Sequence, residues 1–215
     1  METQQGDYSA YIPTNLISIT DGQIYLDSDL FHQGFKPAIN VGISVSRVGG
    51  KAQRPAMKKV ALRLRMELAQ YRDVAAFAQL TSDLDKTTLQ QLHRGERLVE
   101  ILKQPQHAPL ALDKQVCILW AAAHDQLDDI PLADIATFQA QWFRLLDDAY
   151  PQVGEGIRAA GDLTPAVEAA LQASLAQLKT IFVVSGTPET LSAQRVVPKA
   201  DDHDLRVPQA AVIAG

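Results

Sequence analysis

Residues 57–78 read MKKVALRLRMELAQYRDVAAFA, and their apolar members recur at helical spacing. Met57, Val60, Ala61, Leu64, Leu68, Tyr71, Ala75 and Ala78 fall on one stripe, whereas Lys58, Arg65, Arg72 and Asp73 lie largely elsewhere. That is the pattern of a long amphipathic helix with one face in a core. The same period continues toward the C-terminus. A helix is expected from Asp85, a good N-cap, carrying Leu89, Leu92, Val99 and Leu102 until Pro105 stops it. A third follows Asp113 with Val116, Leu119 and Trp120, and Pro131 opens a fourth holding Ile135, Phe138, Trp142 and Leu145 or Leu146. The last runs from about Thr164 to Phe182.

Upstream of Gln53 the period changes to two. Ile39, Val41, Ile43 and Val45 alternate with Asn40, Gly42, Ser44 and Ser46, which predicts a half-buried strand with Arg47 just past its end. The run Gly22-Gln23-Ile24-Tyr25-Leu26 is a second, shorter strand candidate after the turn signal Asp21-Gly22. An isolated strand pair is marginal in water, so residues 1–53 read as the end of a larger α/β domain. Residues 54–182 read as an all-α bundle, and no internal repeat suggests a solenoid. Beyond Phe182 the periodicity fails, and Pro188, Pro198 and Pro208 accompany Asp201-Asp202-His203-Asp204; residues 183–215 are expected to be disordered.

Composition narrows the functional classes. The 215 residues are 47% hydrophobic, and 20 Lys and Arg against 25 Asp and Glu give a net charge of −5 with both signs interspersed. A nucleic-acid surface would want a basic face, so none is expected. Cys117 is the only cysteine, set in the apolar run Val116-Cys117-Ile118-Leu119-Trp120. A buried thiol in a reducing cytoplasm fits that setting, and nucleophilic catalysis has no base beside it. No stretch approaches a membrane span, so membrane association is expected only through partners. The histidines show no ligand spacing and no metal site is expected; His124-Asp125 with Asp128-Asp129 reads as a solvated acidic loop.

Several separate motifs resemble one family. Pro13-Thr14-Asn15-Leu16-Ile17-Ser18-Ile19-Thr20-Asp21-Gly22-Gln23-Ile24 and Pro37-Ala38-Ile39-Asn40-Val41-Gly42-Ile43-Ser44-Val45-Ser46-Arg47-Val48-Gly49-Gly50 are similar to the alpha-subunit family of F-type ATP synthases. Leu68-Ala69-Gln70-Tyr71-Arg72, Ser82-Asp83-Leu84-Asp85-Lys86 and Val99-Glu100-Ile101-Leu102-Lys103-Gln104 continue the resemblance in order and spacing. It covers roughly residues 2 to 180. The implied fold is a remnant of a P-loop NTPase nucleotide-binding domain (residues 1–53) followed by the family's helical domain (54–182). The P-loop pattern G-x-x-x-x-G-K-[ST] is not in the sequence, since Ala52 follows Gly50-Lys51. Met1 followed at once by the family's mid-domain sequence suggests a truncation, a split gene or an internal start.

The resemblance also implies roles. Arg47 matches the arginine that enters the neighbouring beta subunit's catalytic site in trans, where a planar cation stabilises charge on the transferring phosphoryl group. Ser18 and Gly22 match positions near the same interface. Lys36, Pro37, Gln104 and Gln106 match the adenine pocket of the alpha subunit's own nucleotide site, although most relatives carry Arg where this chain has Lys36. A lysine keeps the charge and loses the planar fork that stacks on a base. The implied partners are the beta and gamma subunits and a separate N-terminal alpha piece. The implied cofactor is ATP or ADP with Mg, and the implied place is the cytoplasmic face of a bacterial membrane, peripherally bound. The isolated chain is expected to be inactive. A repurposed helical interaction module, or a remnant without ATPase role, is the alternative, and proton and sodium remain equally open as the transported ion.

Overall fold

The structure, a computed structural model, describes residues 1–62, 64–78 and 85–182. Ser82, Asp83 and Leu84 of the family motif, and the tail 183–215 expected to be disordered, lie outside the described residues. Residues Met1–Phe182 form one compact unit.

Its N-terminal layer holds α1 (Tyr11–Ile19), β1 (Gly22–Gln23), α2 (Ser28–His32) and β2 (Val45–Ser46). The strand expected over 39–45 is not there. Ile39 makes an isolated antiparallel bridge with Leu26, and pairing resumes only at Val45. Between them the chain turns, because the Asn40 side chain accepts from Gly42 N–H at 3.1 Å and its carbonyl accepts from Ser44 N–H at 3.1 Å. A local side-chain bond of this kind offers the backbone an alternative to a ladder, and alternating apolar residues could not reveal it. The α1 helix was also hidden, since Pro13 reads as a breaker although it sits in the first turn, where a missing N–H costs nothing.

The helices then follow as α3 (Pro55–Ala61), α4 (Leu64–Ala78), α5 (Lys86–Ile101), α6 (Leu112–Ala123), α7 (Ile135–Ala149), α8 (Pro151–Ala160) and α9 (Pro165–Ile181). Arg63, between α3 and α4, is outside the described residues. Caps mark the starts: the Asp85 carboxylate accepts from Thr88 N–H, and the Thr164 hydroxyl accepts from Val167 N–H ahead of Pro165. The α8 helix escaped sequence reading because Gly154 and Gly156 depress its propensity. Burial of Val153 and Ile157 overrides that deficit.

Buried apolar residues belong almost wholly to this second part. Val116, Trp120, Ala121, Ile135, Phe138 and Trp142 are each at most 1% exposed. The α7 ambiguity resolves toward Leu146, which is buried while Leu145 is half-buried. On α5 the expected stripe is rotated: Leu89 is exposed, and Gly95, Leu98 and Ile101 face the core. The reason is Gly95, whose missing side chain admits the Tyr71 ring of α4; a Cβ there would stand 2.1 Å from Tyr71 Cδ2.

Two outcomes follow for stability. Gly95→Ala should gain about 1 kcal/mol of helix propensity and lose about 1–3 kcal/mol to overpacking, so urea unfolding should show a net loss that Tyr71→Ala partly relieves. Hydrogen bonds, foremost from the Thr88 side chain and then from the backbone N–H groups of Thr88 and Thr87, hold the Asp85 carboxyl below its usual range. A depressed folded value means stability present above the unfolded pKa and lost as pH falls through the folded one. Asp85→Ala should therefore lower Tm at pH 7, and its Tm should converge with the parent's as melts move to strongly acid buffer.

Candidate nucleotide and interface site

Arg47 is placed by the strand pair before it. Gly22 pairs with Ser46 and Gln23 with Val45 in antiparallel register, and Arg47 N–H donates to the Asp21 carbonyl at 2.9 Å. The pair can close this tightly only at a glycine: Gly22 has φ +148°, and a Cβ there would lie 2.4 Å from the Val45 carbonyl oxygen. The Arg47 backbone is thus fixed while its side chain, 60% exposed, reaches solvent. Its guanidinium has one anionic neighbour among the described residues, the Asp21 carboxylate at 3.8 Å, itself 80% exposed. A surface pair like this is worth at most about 1 kcal/mol, so the cation is readily released to a stronger anion. Ser18 lies in α1 with its hydroxyl donated to the Asn15 carbonyl at 2.7 Å.

A second group forms where the N-terminal layer meets the end of α5. Gln104 N–H donates to the Lys36 carbonyl at 2.8 Å, bringing together residues 68 positions apart. Lys36 precedes Pro37 through a cis peptide, and its ammonium stands 4.9 Å from the centroid of the Phe31 ring. Phe31 is 53% exposed. An exposed aromatic beside a cation offers a flat, electron-rich face to a planar ligand, and sequence reading missed it because it lies in a five-residue helix with no periodicity to read. Gln106 is exposed two residues past Gln104, and it has no hydrogen-bond partner among the described residues.

The acidic loop after α6 is engaged elsewhere. Asp125 pairs with Arg94, Asp129 pairs with Lys179 at 2.9 Å, and His124 Nδ1 lies 2.8 Å from the Trp120 carbonyl oxygen. Among the described residues no group of three or more His, Cys, Asp and Glu is arranged to hold a metal. Cys117 is buried, and burial pushes its thiol up to about 12, which leaves it protonated and unreactive at neutral pH.

The comparison with known families divides the chain at nearly the same place as its fold, a short N-terminal layer and then a run of helices. Residues 53–178 match the ATP synthase alpha/beta chain, C terminal domain, and residues 1–46 match the nucleotide-binding domain of the ATP synthase alpha/beta family. The chain belongs to the ATP synthase alpha/beta family. Within it the similarity is to alpha subunits: the protein named ATP synthase subunit alpha from Wolinella succinogenes is 52% identical over 183 residues, 85% of this chain and 37% of that protein. Those of Caldanaerobacter subterraneus subsp. tengcongensis and Desulforudis audaxviator are likewise 52% identical, over 86% and 85% of this chain and 37% and 36% of theirs. The chain therefore spans little more than a third of the length of these relatives.

Gly22→Ala tests the placement of Arg47. The added Cβ should part β1 from β2, and hydrogen exchange at the Arg47 amide should accelerate while amides of α6 and α7 keep their protection.

Proposed function

We propose that the chain acts as the C-terminal part of an ATP synthase alpha subunit, giving Arg47 in trans to the catalytic site of a neighbouring beta subunit. The observation that carries this reading is the combination at Arg47: a backbone pinned by the Gly22–Ser46 pairing and a guanidinium whose one anionic neighbour among the described residues is an exposed carboxylate. Such a group can swing onto a phosphoryl transition state without unfolding anything. Lys36 and Pro37 with Gln104 and Gln106 form the adenine-facing side of a second, non-catalytic nucleotide site, and Phe31 joins them. ATP or ADP with Mg binds in the assembled complex, where the beta and gamma subunits and the remaining part of an alpha nucleotide-binding domain complete the sites. The complex sits peripherally on the cytoplasmic face of a bacterial membrane and couples ATP synthesis or hydrolysis to ion transport. No helix among the described residues is long and apolar enough to cross a membrane.

The domain division at residue 53 has support in burial. Only Pro13 and Ala38 are buried among the first 53 residues. Tyr11, Ile12, Ile19, Ile24 and Leu26 are each more than 60% exposed. An apolar face of that kind marks a surface made to be covered, and the missing cover is the rest of the nucleotide-binding domain. The same imbalance favours a second reading, a helical interaction module that needs no nucleotide domain, because residues 54–182 bury a core of their own.

Two measurements separate these readings. In limited proteolysis of the isolated chain, cuts should fall first within residues 1–53 and leave a product close to 54–182; addition of an alpha piece carrying the P-loop should protect the N-terminal layer. Reconstituted with that piece and with beta and gamma subunits, the complex should hydrolyse ATP, and Arg47→Ala should lower kcat by about 10³-fold or more. The chain alone should show no turnover. Assembly whose ATPase rate ignores Arg47→Ala would leave the helical-module reading standing.

A further inference from the structure

A cavity of about 490 Å³ lies between the N-terminal layer and the facing sides of α4 and α5, within the roughly 300–1,000 Å³ typical of small-molecule sites. Its wall is largely apolar: Leu30, Ile39, Val41, Leu68, Val99 and Leu102 line it together with Phe35 and Tyr71. Its charged members are all cationic, namely Lys36, Arg72 and Lys103, beside the neutral Gln33, and no Asp or Glu is among the lining residues. Lys36 and Pro37 border it, and Phe31, Gln104 and Gln106 are not among its lining residues.

The three cations are not equally free. Lys103 is neutralised by Glu100 and lies 5.2 Å from the centroid of the Phe35 ring. Arg72 donates from Nε to the Leu68 carbonyl at 3.4 Å and from Nη1 to the Asn40 side chain at 3.3 Å, which leaves further guanidinium N–H groups unengaged. Neither Arg72 nor Lys36 has a carboxylate partner among the described residues. An apolar chamber with uncompensated positive charge at its edge favours a ligand of complementary build, an apolar body carrying one anionic head.

We propose that this cavity is a binding site for a medium-chain aliphatic carboxylate, its chain among Leu68, Val99 and Leu102 and its head on Arg72, with Lys36 close by. A carboxylate can take two parallel guanidinium N–H bonds, one on each oxygen, where an alcohol presents a single oxygen and no charge.

Titration calorimetry of the full 215-residue chain with decanoate tests this. Saturable one-to-one binding is expected, with decanol about tenfold weaker, as one charge-assisted contact is worth. Arg72→Gln, a change at an exposed residue, should bring decanoate down to the affinity of decanol. Ala75→Phe should fill the chamber and abolish binding of both, with circular dichroism verifying that the variant is helical. The proposal is overturned by non-saturable uptake of decanoate, by equal affinity in Arg72→Gln, or by undiminished binding to a folded Ala75→Phe.

Discussion

A buried indole needs one polar partner, and Trp142 finds it across the helix bundle. Its Nε1 donates to the Ser174 hydroxyl at 2.9 Å, and that hydroxyl donates to the Leu171 carbonyl at 2.8 Å. With every atom of the pair withdrawn from water, loss of either partner would strand a donor or acceptor at a cost of about 1–3 kcal/mol. The bond therefore fixes α7 against α9, and the flanking apolar residues Phe138, Leu171 and Leu175 close around it. The α8 helix packs on both, α6 packs on α8, and α3 and α5 pack on α6. The ordered position of the loop after α5, and with it Gln104, descends from that chain of contacts.

The N-terminal layer depends on the bundle in a different way. It brings almost no buried apolar surface of its own and is tied down by polar contacts: Arg65 to the Ser44 carbonyl at 3.2 Å, Arg72 to Asn40, and Gln104 N–H to the Lys36 carbonyl. Two of these ties come from α4, whose only buried residue is Leu68. The loops bearing Ser44 and Asn40 are thus joined to α4, and the loop bearing Lys36 to the segment that follows α5. Arg47 is set apart from that linkage by the β1–β2 pair, which holds its backbone through Gly22 and Asp21.

The helical half was legible in the sequence because a 3.6-residue period survives any detail of packing. Asp85, Thr164 and Pro131 marked helix starts through local chemistry that needs no tertiary contact. The family motifs carried the candidate residues, Arg47 and the Lys36, Pro37, Gln104 and Gln106 group, because a linear match records residues without showing where they meet. What failed was the two-residue period over 39–45: alternation describes which residues are apolar, while the Asn40 side chain decides whether the backbone can run straight.

By itself, the sequence determined that this chain has a helical bundle and one buried cysteine, since each follows from periodicity or apolar runs. Only the tertiary structure decided that Gly22 permits the pair holding Arg47, that Gly95 rotates α5 to receive Tyr71, and that Lys36 meets both Phe31 and Gln104. These are contacts between residues from 5 to 68 positions apart. A chain's local preferences cannot specify such distances, and close packing, with its absolute bar on overlapping atoms, does.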